Sequence, residues 1–153
     1  MIHYIGPVKE EHIIELKDNM QSMAQMSCWA LTNHTPEEAI RTSLGESNES
    51  NVWTANGQVM GIFGVAVHTL ISPHGYPWFL GANGLEQYRI AFVKGTKLWL
   101  DRVKGRYDYL YTYVDARNTS SINWLRHMDF IINPPKPLGK EQLLFHTAEW
   151  GVK

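Results

Sequence analysis

Residues 114–130 read VDARNTSSINWLRHMDF, and the organisation of the chain is decided by how this stretch is taken. Tyr109 to Val114, just upstream, is dense in aromatic and β-branched residues and predicts a strand. Asn118 or Thr119 then offers a side-chain oxygen to cap a helix. Ser121, Ile122, Leu125 and Met128 fall at helical spacing on what would be its buried side. Pro134, Pro135 and Pro137 predict that nothing regular continues beyond Ile132. The segment is therefore a strand, a tight turn and an amphipathic helix, and Leu143 to Trp150 reads as a last strand.

Upstream, Phe92, Thr96, Trp99 and Val103 recur at a helical period and Gly105 follows, which predicts a long helix from Glu86 onward. Trp78 to Leu80 is a short apolar strand ended by Gly81 to Gly84. Ser72 to Tyr76, with Pro73 and Gly75, reads as a loop. Asn56-Gly57 is suited to a type I′ turn and predicts a hairpin of Val52 to Ala55 with Gln58 to His68. The polar stretch Glu46 to Asn51 reads as a loop before it. Thr35-Pro36-Glu37-Glu38 combines a capping hydroxyl, proline at the first helical position and glutamate at the third, so a helix starts there and runs to Gly45. Ile2 to Ile5 predicts a first strand closed by Gly6 and Pro7, and Ile13, Leu16, Met20 and Met23 predict one helix after it. The order β, α, α, β, β, β, α, β, α, β implies a single α/β (α+β) domain over residues 1–153, with a mixed sheet covered by helices.

The chain has 153 residues, of which 44% are hydrophobic and 19% charged, with six Trp and seven Tyr. That content builds a folded core rather than a disordered polymer. The net charge of −1 gives no general attraction to phosphate polymers, so nucleic acid is not expected as a main partner. No apolar run is long enough for a membrane span, and Met1 to Glu10 lacks the pattern of a secretory leader. Cys28 is the only cysteine, which excludes an intrachain disulfide and fits a small buried residue in a reducing compartment. His3, His12, His34, His127 and His146 have no ligand spacing, so no metal is expected. Trp29 and Trp150 are candidate surface anchors for a partner.

The order of elements, together with Asn118, Ile122 and Phe130 at fixed offsets across the strand-to-helix turn, resembles the GNAT acetyltransferase fold. Leu125 stands where that family has a Tyr, and Asp129 where it has a Gly. Several further segments resemble a phage family that includes the internal virion protein A of T7-like bacteriophages. They are Gly75-Tyr76-Pro77-Trp78-Phe79-Leu80, Tyr88-Arg89 with Phe92, Thr96, Lys97 and Trp99, Arg106-Tyr107-Asp108, and Tyr113 to Thr119 with Trp124-Leu125. This resemblance implies a protein of the host cytoplasm or of the phage virion.

The GNAT resemblance implies acetyl-CoA as cofactor, with its pyrophosphate on backbone N–H groups at the start of the long helix. Gly95 matches the second small residue of that loop, while Val93 replaces the first and Ile90 the expected Arg or Gln. Gly81 and Gly84, with Arg89 and Lys94 to neutralise phosphate, form an alternative anchor; an ordinary strand-to-helix turn is the competing reading. For the proton donor to the departing thiolate, Leu125 leaves Tyr111, Tyr113, Ser120 or Ser121. For the base, Glu86, His68 and His74 are the candidates. Each also reads as a core or surface residue, and Asn118 as a helix cap. Two functions follow: an N-acetyltransferase acting on a small-molecule or protein amine, or a non-catalytic scaffold that binds a host or virion protein.

Overall fold

Asn56 and Gly57 both adopt positive φ, 51° and 81°, as a type I′ turn demands. In the computed structural model, which describes residues 2–68 and 74–152, they join β2 (Ser47–Ala55) to β3 (Gln58–Ala66). Every β3 residue after Gln58 is buried, so β3 lies inside the sheet, antiparallel to β2 on one side and to β4 (His74–Gly81) on the other. β1 (His3–Gly6) extends the sheet past β2. Beyond β4 comes β5 (Tyr109–Asp115), parallel to it, then β8 (Leu143–Gly151), antiparallel to β5. β6 (Ile131–Ile132) and β7 (Lys136–Leu138) both pair with β8. The strand order is β1-β2-β3-β4-β5-β8-β6, a mixed and mostly antiparallel sheet with one parallel junction, β4 to β5.

Among the described residues five α-helices cover it: α1 (Glu10–Asn19), α2 (Ser22–Thr32), α3 (Pro36–Gly45), α4 (Arg89–Lys104) and α5 (Thr119–His127). Ile13 and Leu16 of α1 and Ile40 of α3 pack with Val52, Ile62 and Trp78 on one face. Leu100 and Val103 of α4 and Ile122 and Leu125 of α5 pack with Leu110 and Val114 on the other. Because side chains alternate along a strand, Tyr109, Tyr111 and Tyr113 are left on the α3 side of β5. Thr35 and Glu38 cap α3 reciprocally, as expected.

Four expectations need correction. The single helix through Met20 and Met23 is two helices, because Met20 is extended, fully buried and bridged to Ala82; that tertiary strand contact outweighs helical periodicity. Glu46 to Asn51 is not a loop, since β2 begins at Ser47. Its polar half lies where β1 no longer pairs with it, an edge that tolerates polar side chains. Gly75 and Tyr76 belong to β4, held by β3, while Ser72 and Pro73 lie outside the described residues. Pro137 stands inside β7, which pairs with β8 alone, so the missing N–H falls at a sheet edge.

Asn118 caps α5: its Oδ1 accepts from the Ser121 amide at 3.1 Å. Asn118→Ala is expected to cost about 1 kcal/mol, read as a lower midpoint in urea with an unchanged slope.

Candidate active site at the opening between β4 and β5

β4 stays paired with β3 as far as Gly81, and β5 with β8 as far as Asp115, yet among the described residues β4 and β5 pair only at His74 opposite Tyr109 and Gly75 opposite Leu110. Beyond those two pairs the sheet splits. The backbone beyond β4 indicates the cause. Gly81 C=O accepts from Gln21 N–H at 3.0 Å and Asn83 N–H donates to Asn19 C=O at 2.8 Å, both away from β3, while Ala82 N–H turns to Met60 C=O in β3. Alternating backwards from Gly81, Phe79, Pro77 and Gly75 direct their backbone polar groups to the β5 side. Pro77 has no N–H to give there, and the ladder ends just before it. The junction of α1 and α2, Asn19 to Gln21, takes over the edge at the wide end.

The Tyr76 side chain spans the start of the gap, where its hydroxyl oxygen accepts from the Tyr113 N–H at 3.4 Å. Burial raises the Tyr76 pKa, against the Thr112 and Tyr113 hydrogen bonds that lower it. Its ring centroid lies 5.3 Å from that of Tyr111 and 6.0 Å from that of Tyr113. His68, two residues after β3, holds the Tyr111 hydroxyl on Nδ1 at 2.9 Å and Glu46 Oε2 on Nε2 at 3.0 Å. Burial, then the neighbouring Tyr113 and Glu46, raise the Tyr111 pKa, so its phenol keeps its proton. Tyr109 donates to Glu149, which also accepts from Asn133 Nδ2 at 2.6 Å. Carboxylate, imidazole and phenol thus stand in a chain at the narrow end of the opening.

At the far end of β5, Asp115 is 2% exposed. It accepts from Arg117 N–H at 2.9 Å, Nε at 3.0 Å and Nη2 at 2.7 Å, and from the Ser27 hydroxyl at 3.3 Å. Burial alone would raise its pKa, but the Arg117 bonds and charge, with Ser27, hold it below the usual carboxylate range. This cluster ties α2 to the turn that carries Asn118.

The residues expected at the site divide between the two ends of β4. Tyr113 is 40% exposed beside the gap, and Asn118 and Ser121 stand at the start of α5, joined by the cap. Leu125 is buried and carries no proton. Glu86 is exposed on a 3₁₀ turn, Leu85–Tyr88, before α4, away from the end where Glu46, His68 and Tyr111 meet. His74 packs its ring on Tyr109. Nothing in the sequence pattern marks Glu46 or Tyr76 as a site residue. Glu46 is 22 residues from His68, and His68 is 43 from Tyr111, so no local motif signals them.

For a pyrophosphate, α4 starts at Arg89, so the amides of Val93 to Thr96 belong to helical hydrogen bonds and are not free donors. Gly95 is exposed, with open space where a Cβ would stand. In the Gly81 to Gly84 segment, the Ala82 and Asn83 amides are already donated, and the Leu85 amide closes back on Ala82 C=O. Gly84 has φ 93° and opens the 3₁₀ turn. Arg89 and Lys94 are exposed and form no ion pair with any described residue. On the same side of the sheet, α4 covers a separate aromatic cavity of about 390 Å³ against Trp53, Phe63 and Phe79. Among the described residues there is no metal-binding cluster and no helix long and apolar enough to cross a membrane.

No family model and no curated protein matches the sequence. Solved structures do match, over almost the whole chain. Ard1 from Thermoplasma volcanium has a TM-score of 0.70 at 16% identity, covering 100% of both chains. The ribosomal-protein-alanine N-acetyltransferase of Brucella melitensis has 0.72 at 16%, covering 97% of this chain and 99% of that one. The Vibrio cholerae spermidine N-acetyltransferase, in complex with CoA and spermine, has 0.71 at 11%, covering 97% and 94%. The fold is that of the GNAT acetyltransferases.

Two substitutions separate architecture from ligand binding. Gly95→Ala is expected to stabilise the protein by about 0.5–1 kcal/mol, seen as a higher melting temperature without ligand. Arg117→Met is expected to cost about 1–3 kcal/mol at neutral pH by leaving Asp115 underbonded. The stability from the lowered Asp115 pKa is present above the usual carboxylate pKa and is lost as pH falls through the folded value. Melting curves from pH 7 to pH 3 should therefore bring the variant and the parent together.

Proposed function

We propose that this chain is an acyl-CoA-dependent N-acyltransferase whose acceptor is a primary amine. The observation that carries the reading is the opening between β4 and β5, with the edge of β4 turned into it and a chain of proton-carrying side chains at its narrow end. A bound acyl thioester supplies an activated carbonyl carbon. The backbone edge at Pro77 and Phe79 can hydrogen-bond the amide-bearing arm of such a cofactor, and Arg89 and Lys94, exposed and without an ion pair among the described residues, are cations available to its phosphates. Asn118 orients the start of α5 beside the opening. With Leu125 inert, Tyr113 is the exposed hydroxyl that can protonate the departing thiolate. Two of the structures above are named as a ribosomal-protein-alanine N-acetyltransferase and a spermidine N-acetyltransferase, so an alanine-terminated peptide and spermine are the acceptors to try first.

A second reading has its own observation. The helical start of α4 at Arg89 uses the amides that a cofactor's phosphates would need, which favours a non-catalytic scaffold binding a host or virion protein. Kinship with the phage family, and a place in the host cytoplasm or the virion, rest on the sequence segments and belong with this reading. Calorimetric titration with acetyl-CoA and free CoA separates the two. Saturable binding, with thiol release when either amine is added, is the expected result. No heat at millimolar ligand would exclude the enzyme reading. Mass spectrometry of purified particles then tests the scaffold.

A further inference from the structure

We infer that Glu46, His68 and Tyr111 form a proton relay that deprotonates the acceptor amine at the narrow end of the β4–β5 opening. The inference rests on the acyltransferase reading and names the base that this reading leaves open. Tyr111 is the first β5 residue after the last β4–β5 pair, Gly75 with Leu110, so it stands where the sheet splits. It is on the α3 side, opposite α4 and α5. Its hydroxyl is 2.9 Å from His68 Nδ1, and His68 Nε2 is 3.0 Å from Glu46.

The bond to a carboxylate, which only accepts, assigns the imidazole proton to Nε2 and leaves Nδ1 to accept from the phenol. This is the order of groups by which a hydroxyl, an imidazole and a carboxylate move a proton in general-base catalysis. The ammonium form of the acceptor gives one proton to the Tyr111 oxygen as the Tyr111 proton passes to Nδ1, and Glu46 stabilises the resulting imidazolium. The amine lone pair then forms the N–C bond to the thioester carbonyl while the C–S bond breaks. The thiolate takes a proton from Tyr113, and the proton held on the His68 imidazolium passes back through Tyr111 to reprotonate Tyr113, which returns His68 to its neutral form. The nitrogen's second proton leaves to solvent, so amide and thiol form with one net proton released.

The surroundings suit a cation. The rings of Tyr76, Tyr109 and Tyr113 lie 5.3, 5.8 and 6.3 Å from that of Tyr111, and aromatic faces attract ammonium groups. The titratable groups around the relay are those three phenols, His74 against Tyr109, Glu149 bonded to Tyr109, and Cys28 near Tyr76.

Thiol release from acetyl-CoA with spermine, measured between pH 6 and pH 9, tests the relay in the full chain. His68→Gln and Tyr111→Phe are expected to lower kcat at pH 7 by about a hundredfold, and Glu46→Gln by less. The affinity for acetyl-CoA in calorimetry should stay the same. The His68→Gln deficit should shrink toward pH 9, where the amine sheds its proton unaided. In ¹⁵N spectra of the histidine rings, Tyr111→Phe should change the Nδ1 signal of His68. Tyr111→Phe keeps the ring packing and carries the test if His68→Gln fails to fold. Turnover in His68→Gln with a parallel pH profile would overturn the relay alone and leave the acyltransferase reading standing. Absence of acetyl-CoA binding in the parent protein would overturn both. Binding without turnover overturns the relay.

Discussion

A single missing hydrogen-bond donor organises this molecule. Pro77 lies in the middle of an interior strand, at a position whose backbone faces β5, and proline has no N–H to extend a ladder there. β4 and β5 pair at Gly75 and no further. Each strand keeps its outer neighbour, so the sheet stays continuous at one end and divides at the other. What divides it is cheap in energy, because a parallel pair that never forms leaves only a few backbone groups to satisfy. The Tyr76 hydroxyl takes the Tyr113 amide, and the α1–α2 junction takes Gly81 and Asn83.

Around that division the two faces have different chemistry. On the α4 and α5 side the contacts are mostly apolar or aromatic: Leu110 and Val114 pack with Ile122 and Leu125, Phe92 meets Trp124, and Trp124 Nε1 donates to the Thr96 hydroxyl at 3.0 Å. On the α3 side β5 presents three tyrosines, of which Tyr111 is bonded to His68 and through it to Glu46, and Tyr109 to Glu149. The alternation of a strand produces this contrast, because Tyr109, Tyr111 and Tyr113 share one face and Leu110, Thr112 and Val114 the other. A strand rich in tyrosine reads locally as core, and only its neighbours give its hydroxyls partners. The Asp115, Arg117 and Ser27 cluster works at the other end of β5. There a buried carboxylate fixes the turn that aims α5.

The departures from the GNAT pattern fall in α4, at Ile90 and Val93, and in and just after α5, at Leu125 and Asp129. Val93 and Ile90 stand where the resemblance expects a small residue and an Arg or Gln, and α4 begins at Arg89. Leu125 fills a position where a hydroxyl is expected and packs into the core at 4% exposure. The β4–β5 opening is present, while the amides of Val93 to Thr96 are taken up in α4. That combination sets an acyl carrier held mainly by a strand edge and two cations against a scaffold that has lost the carrier.

Local signals determined the elements that depend on local chemistry. Asn56-Gly57 specified the hairpin, Thr35 to Glu38 the start of α3, and Asn118 the start of α5, because turns and caps are satisfied within a few residues. The α/β class and the strand-turn-helix from Tyr109 to Met128 were legible for the same reason. The break at Met20 and the strand character of Glu49 and Tyr76 were decided by partners in other segments of the chain, which periodicity does not register, and β7 keeps its proline because it lies at the edge of a short hairpin with β8. The meeting of Glu46, His68 and Tyr111 also belongs to the tertiary structure alone. Those residues occupy a helix end, a strand end and a strand interior, and only the order of strands in the sheet brings them within hydrogen-bonding distance.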